Sequence, residues 1–213
     1  MERLPMTLRA GYRRFREDRY HEQRALYERL AKGQQPKVAI LACADSRADP
    51  ALIFDAAPGE LFVLRNVANL VPAFERGGTS HGTVAGLEFA VSHLAVDDIV
   101  VMGHASCGGI EACLRSASGE AGGYFVSHWV ELAEAARDLV LAEQPALAGD
   151  ALRHAVEQRS VLSSLERLQT FPFVAEAMRA RGMRLHGAWF SIMSGELSWI
   201  DPPSGCFTTV AFS

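Results

Sequence analysis

Cys43 and Asp45 close one apolar run of the chain, and His104 and Cys107 close another. Residues 38–42 lead into the first pair through ACADSR (42–47), and residues 99–102 lead into the second through MGHASCGGIE (102–111). Two thiolates, an imidazole and a carboxylate form a ligand set that suits tetrahedral zinc. A structural zinc site is usually closed by four Cys or His ligands, often from CxxC pairs, and the sequence contains no CxxC. Cys43, His104 and Cys107 match instead the three-ligand catalytic pattern, in which water takes the fourth position. Asp45 either fills that position or points away, and Arg47 is spaced to hold it by a bidentate ion pair.

The elements that position these groups are strands. Residues 37–44 form a continuous apolar run, the signature of a strand buried on both faces of a parallel sheet. Residues 61–67 and 98–104 predict the second and third strands, and residues 185–192 and 197–200 the last two, joined as a hairpin through Ser194-Gly195. Helices are predicted over 7–32, with Leu8, Tyr12, Phe15, Leu26 and Leu30 at helical spacing and Gly33 as the stop. Asp49-Pro50 reads as an N-cap followed by proline at the first helical position, opening a short helix that Pro58-Gly59 ends. Gly77-Gly78 marks a loop. Further helices are expected over 79–94, from 108 to 115, over 124–142 and over 148–181, the last broken near Phe171-Pro172.

Strands alternating with helices imply an α/β fold with a mostly parallel sheet of about five strands, in the order 2-1-3-4-5 with the last antiparallel. In such sheets ligands bind beyond the carboxyl ends of the strands, where strand order reverses. That point lies between the first and third strands, whose ends carry all the proposed ligands. The chain reads as one domain spanning 1–213, with 1–33 as an N-terminal helical arm. A long helix ahead of the first strand has little core of its own, so it is expected to pack on a partner subunit.

At 213 residues the chain can bury one sizeable core. A net charge of −4 and a pI near 6.0 argue against a general polyanion binder. Arg13, Arg14, Arg16 and Arg19 read as a solvated or subunit-facing surface, not a nucleic-acid patch. No apolar run is long enough for a membrane span, and the N-terminus lacks the apolar core of a secretory signal. Four cysteines, two of them proposed ligands, suggest a reducing compartment, and a cytoplasmic location is expected.

The motifs CADSR (43–47), RNVANLV (65–71), GHASCGGI (103–110) and AKGQ (31–34) together resemble the β-class carbonic anhydrases, in the plant-like branch. The resemblance runs from about residue 20 to 200. It implies reversible hydration of carbon dioxide to bicarbonate and a proton, by attack of zinc-bound hydroxide, with one zinc per chain on Cys43, His104 and Cys107. It assigns Asp45 and Arg47 as the catalytic dyad, and Gln34 as the group that hydrogen-bonds bicarbonate. Phe62, Val67 and Phe89 match the apolar wall around carbon dioxide, although Tyr is common at the last position. The family forms intertwined homodimers, often assembled further, with pockets at the subunit interface.

The chemistry explains these residue types. Zinc lowers the pKa of bound water from 15.7 to roughly 7. Two thiolates donate more charge than imidazoles, so Asp45 would compensate by accepting the water's hydrogen bond while Arg47 keeps it ionised and off the metal. The backbone N–H of Gly108, at a helix start, is placed for the developing anion. Some bacterial members hold a non-catalytic bicarbonate with Trp, Arg and Tyr. Here these positions read Ile40, Arg65 and Phe190, so that pocket is expected to be absent and the resting site open.

The remaining candidates have plainer readings. Cys113 and Cys206 are expected as buried or partly buried thiols, and His81, His93, His128, His154 and His186 as surface or core histidines. Residues 131–137 read as a solvated helix face. Two other functions stay in view: hydrolysis of carbonyl sulfide or carbon disulfide on the same scaffold, and a non-catalytic zinc or bicarbonate sensor. The intact Asp45, Arg47 and Gln34 argue against the sensor.

Overall fold

The structure, a computed structural model, describes residues 4–75, 82–116, 123–201 and 204–211. The Gly77-Gly78 loop, the first turn expected at 79–81 and His81 lie outside these residues. A sheet in the order β2-β1-β3-β4-β5-β6 forms the centre. Its parallel part is β1 (Val38–Cys43), β2 (Leu61–Asn66), β3 (Asp98–His104) and β4 (Arg184–Phe190). The strands β5 (Leu197–Ile200) and β6 (Phe207–Thr209) add antiparallel at one edge. The expected order holds, but the sheet has a sixth strand that the sequence reading missed. β6 is three residues long, two of them threonines, too short to show an alternating pattern.

Both faces of β1 and β3 are covered, which explains their unbroken apolar runs. Ala39, Leu41, Ile99 and Val101 pack with Leu87, Val161, Leu168 and Phe171 on one side. Ile40, Ala42, Val100, Met102 and Ala188 pack with Ile53, Leu61, Leu197 and Trp199 on the other.

The expected continuous helix over 7–32 is broken. It consists of α1 (Met6–Arg14), a π turn at Phe15–Arg19, α2 (Tyr20–Glu22) and α3 (Arg24–Leu30). The π turn brings residues five apart onto one face, so Phe15 and Tyr20 gather with Tyr27, ring centroids 5.1 to 6.0 Å apart. None of these segments contains a buried residue, and Met6, Leu8 and Tyr12 are exposed.

Asp49 caps α4 (Pro50–Ile53) as expected, accepting the Ala51 N–H at 2.9 Å. The helix stops short of Pro58, because Asp55 turns left-handed at φ 47°. Then follow α5 (Gly82–Glu88), a π turn at Phe89–His93, and α6 (Gly108–Ser116). The helix expected over 124–142 is α7 (Tyr124–Val130) and α8 (Glu134–Glu143), separated by a 3-10 turn. Residues 131–137 are only in part the solvated face expected of them: Glu131 and Ala135 are exposed, but Ala133, Ala136 and Arg137 are not. Arg137 is buried, donating from Nη1 to the Cys113 carbonyl at 3.0 Å. α9 (Gly149–Leu168) and α10 (Pro172–Arg181) complete the chain's helices among the described residues, the break falling at Phe171-Pro172 as predicted. α9 lies directly on the sheet, where a Cβ on Gly103 would come within 2.9 Å of Val161. No helix among the described residues is long and apolar enough to cross a membrane.

Candidate metal centre and active site

Parallel pairing sets Ala42 against Met102, so Cys43 at the end of β1 and His104 at the end of β3 emerge side by side. Cys107 follows after a tight turn in which Ser106 takes φ 56°. One ligand atom from each of Cys43, His104 and Cys107 lies within 4.8 Å of the other two, and all three residues are buried. The two sulfurs are 3.9 Å apart. Two ligands about 2.3 Å from a tetrahedral zinc would stand about 3.8 Å apart, so the spacing fits the ion.

The imidazole fits it as well. His104 Nδ1 donates to the Ala105 carbonyl at 2.9 Å, the tautomer that turns the Nε2 lone pair toward the cysteines. That Nε2 is buried with no hydrogen-bond partner. A buried orphan acceptor facing two sulfurs is what a bound cation would satisfy.

Backbone donors support the thiolates. The Ala68 N–H points at Cys43 Sγ at 3.3 Å, and the Gly109 and Ile110 N–H groups favour the charged form of Cys107 at the start of α6. By themselves the two thiols share a proton. The hydrogen bond from Cys107 pulls Cys43 well below the usual thiol range, while the same bond and burial push Cys107 up. A cation between them would favour the ionised form of both.

Asp45 is held beside this cluster. Arg47 donates from Nε to Oδ1 at 2.9 Å and from Nη2 to Oδ2 at 2.7 Å, and its backbone N–H adds a third bond at 2.9 Å. Nη2 also reaches the Ser106 carbonyl at 3.1 Å. The Arg47 guanidinium therefore holds the Asp45 carboxyl well below the usual carboxylate range, despite partial burial. Asp45 Oδ2 stands 3.9 Å from His104 Nε2. Arg65 fixes the same loop, donating to the Cys43 carbonyl, the Asp45 carbonyl and Asp49 Oδ2.

Val67 does not end β2 as expected but begins a 3-10 turn, Val67–Asn69, in which Ala68 and Asn69 take φ 62° and 48°. The Asn66 side chain bridges this turn, accepting the Leu70 N–H at 2.9 Å and donating to the Leu70 carbonyl at 2.8 Å. Trp129 Nε1 donates to the Val67 carbonyl at 2.7 Å. Val67 lies against α6, since a Cβ on Gly109 would come within 2.7 Å of its Cγ1. Beside Gly108 there is open space.

Gln34, Phe62 and Phe89 are elsewhere in the chain. Phe62 pairs with Ala39, four residues before the Asn66–Cys43 pair, or about 13 Å along the sheet. Phe89 stacks on Phe62 with centroids 5.8 Å apart. Gln34 precedes the start of β1, at the end of the strand opposite Cys43.

Sequence reasoning missed Asn66, Trp129 and Glu157 as groups that shape the site. Asn66 stood inside a quoted motif, whereas nothing in the sequence around Glu157 separates it from an ordinary helix residue. Of the plainer candidates, Cys113 is buried as expected, but Cys206 is exposed, because it sits in the turn between the two edge strands. His154 packs edge-on against Trp189, His186 bonds Asp98, His93 stacks on Phe89, and His128 bonds the Tyr124 carbonyl.

Residues 38–197 match the carbonic anhydrase family. The chain belongs to the β class of that family. A carbonic anhydrase of Pseudomonas aeruginosa is 38% identical over 206 residues, covering 94% of this chain and 90% of its own. One from Synechococcus elongatus is 36% identical, covering 91% of this chain and 71% of its own. Among solved structures, the β-carbonic anhydrase CcaA superposes with a TM-score of 0.91 at 32% identity, covering 97% of this chain and 92% of its own. A tetrameric β-carbonic anhydrase of Sordaria macrospora gives 0.82 at 29% identity, covering 95% and 98%. The β-carbonic anhydrase family uses zinc, in accord with the Cys43, His104 and Cys107 cluster.

Proposed function

We propose that this protein catalyses the reversible hydration of carbon dioxide to bicarbonate and a proton, with one zinc per chain held by Cys43, His104 and Cys107. The observation that carries this reading is the grip of Arg47 on Asp45. It keeps a carboxylate next to a three-ligand cluster without committing it as the fourth ligand. A structural metal site has no use for an open position guarded in this way.

Bound zinc supplies the Lewis acidity that makes hydroxide available near neutral pH. Asp45, ionised by Arg47, accepts a hydrogen bond from the reacting water and orients its lone pair. The Gly108 N–H, at the start of α6, donates to the oxygen on which charge develops. Val67 covers one side of a pocket for a neutral, apolar substrate.

Gln34, Phe62 and Phe89 complete that pocket across a subunit interface, the first binding bicarbonate and the rings excluding water. Their distance from Cys43 within one chain supports this, as do the exposed apolar residues of the N-terminal arm. We read the chain as one domain, 1–213, whose arm (1–33) clasps a partner in a homodimer or larger homo-oligomer. With buried unpaired cysteines and no membrane-spanning helix among the described residues, the cytoplasm is the expected location.

The test is loss of oxygen-18 from labelled bicarbonate, followed by mass spectrometry on zinc-loaded protein, with carbonyl sulfide as a parallel substrate. Rapid label loss with slow sulfide release is expected. The opposite order would transfer the assignment to carbonyl sulfide hydrolysis.

A further inference from the structure

Glu157 is a carboxylate 3% exposed, on the middle of α9, with no part in the chemistry above. Its Oε1 accepts the backbone N–H of Cys107 at 2.9 Å. Its Oε2 accepts the indole N–H of Trp189, on β4, at 3.1 Å. Arg153 Nε stands 3.9 Å from Oε1.

Burying a carboxylate is costly unless its oxygens are matched by donors. Here the donors come from two separate elements, the α6 start that carries Cys107 and the strand next to β3. Trp189 is paired with Gly103, one residue before His104. The close seating of α9 on Gly103 puts Glu157 under both ligands at once. One side chain thus ties the Cys107 loop to the β3–β4 pair that carries His104.

We infer that Glu157 is a positioning residue of the metal centre, fixing the Cys107 backbone so that its sulfur meets Cys43 Sγ and His104 Nε2 at zinc-binding distance. This deepens the zinc reading of Cys43, His104 and Cys107 and does not depend on the substrate. Two N–H donors require two acceptor oxygens. Glutamine, of nearly equal size, offers one acceptor and one donor, so Glu157→Gln breaks one of the two bonds while filling the same space.

The test compares zinc affinity, by chelator competition, and the thiolate-to-cobalt charge-transfer band of the cobalt(II)-substituted protein. The proteins are wild type, Glu157→Gln, Trp189→Phe and Leu168→Ala. Leu168 is buried in the same helix, eleven residues away in the core between that helix and the sheet, and reports general destabilisation. Glu157→Gln is expected to bind zinc about tenfold more weakly and to alter the cobalt band. Trp189→Phe should shift both in the same direction by less, and it carries the test should Glu157→Gln fail to fold. Leu168→Ala should lower the melting temperature and leave both unchanged. Wild-type affinity and spectrum in Glu157→Gln, or in Trp189→Phe where that variant carries the test, would overturn the inference. Equal changes in Leu168→Ala would also overturn it. Neither readout needs turnover, so inactivity of the zinc-loaded wild type toward carbon dioxide would sink the proposed function alone.

Discussion

Asp45 and Arg47 lie two residues apart on one loop and grip each other through parallel bonds of 2.9 and 2.7 Å, with the guanidinium bridging on to Ser106. The pair therefore links the loop after β1 to the turn that carries Cys107. Removing Arg47 releases Asp45 toward the metal and loosens that turn. Arg47→Ala should retain zinc but lower kcat/KM by about 10- to 100-fold, as for other groups that orient a metal site's partners. Asp45→Asn, which removes the charge and replaces one acceptor oxygen with a donor, should cost about 100-fold or more. Zinc content and steady-state kinetics on the two variants check this, and unchanged kcat/KM in Arg47→Ala would refute the role.

Gly109 has no room for a side chain. A Cβ there would come within 2.7 Å of Val67 and 2.8 Å of Ala68, whose N–H supports Cys43. Gly109→Ala should destabilise the protein by about 1–3 kcal/mol, and should also disturb the Cys43 thiolate. Gly108→Ala meets open space and should fold with near-normal stability. Thermal unfolding of both variants tests the contrast.

The sequence made the candidate metal cluster legible because Cys43 and His104 sit at the ends of unbroken apolar strands, and strand order alone puts them side by side. The parallel sheet was legible for the same reason. The arm was less so: helical spacing at Leu8, Tyr12 and Phe15 does not reveal a π turn, which depends on the Phe15, Tyr20 and Tyr27 rings meeting. β6 was too short to carry a pattern. Arg137 and Glu157 look like solvent residues in a helical sequence, and only the packing of α8 and α9 shows them buried.

Asp98 ties the start of β3 to β4. Arg184 donates to both its oxygens at 2.8 and 2.9 Å, and His186 bonds Oδ1 at 2.7 Å. Arg184 first, then His186, holds the Asp98 carboxyl below the usual range. A carboxylate depressed in the folded state stabilises above its unfolded pKa, about 3.9, and the gain disappears as pH falls through the folded value. Arg184 is largely exposed, so the effect is screened. Asp98→Asn should thus be less stable than wild type by about 1 kcal/mol at pH 7, with the gap narrowing below about pH 4. Urea unfolding at both pH values measures it, and a gap that widens in acid would contradict the assignment.

The exposed apolar face of the arm should be covered in solution. Sedimentation velocity is expected to give a dimer or larger assembly, and Tyr12→Glu or deletion of residues 1–30 should shift it to smaller species with a parallel loss of activity. A fully active monomer would exclude a pocket completed by a second copy.

The central claim is tested most directly by stopped-flow hydration of carbon dioxide near pH 8, using zinc-loaded wild type against Cys43→Ala. The account predicts a fast catalysed rate that disappears in the variant together with its zinc. A wild type that holds one zinc per chain yet hydrates carbon dioxide no faster than the variant would contradict it.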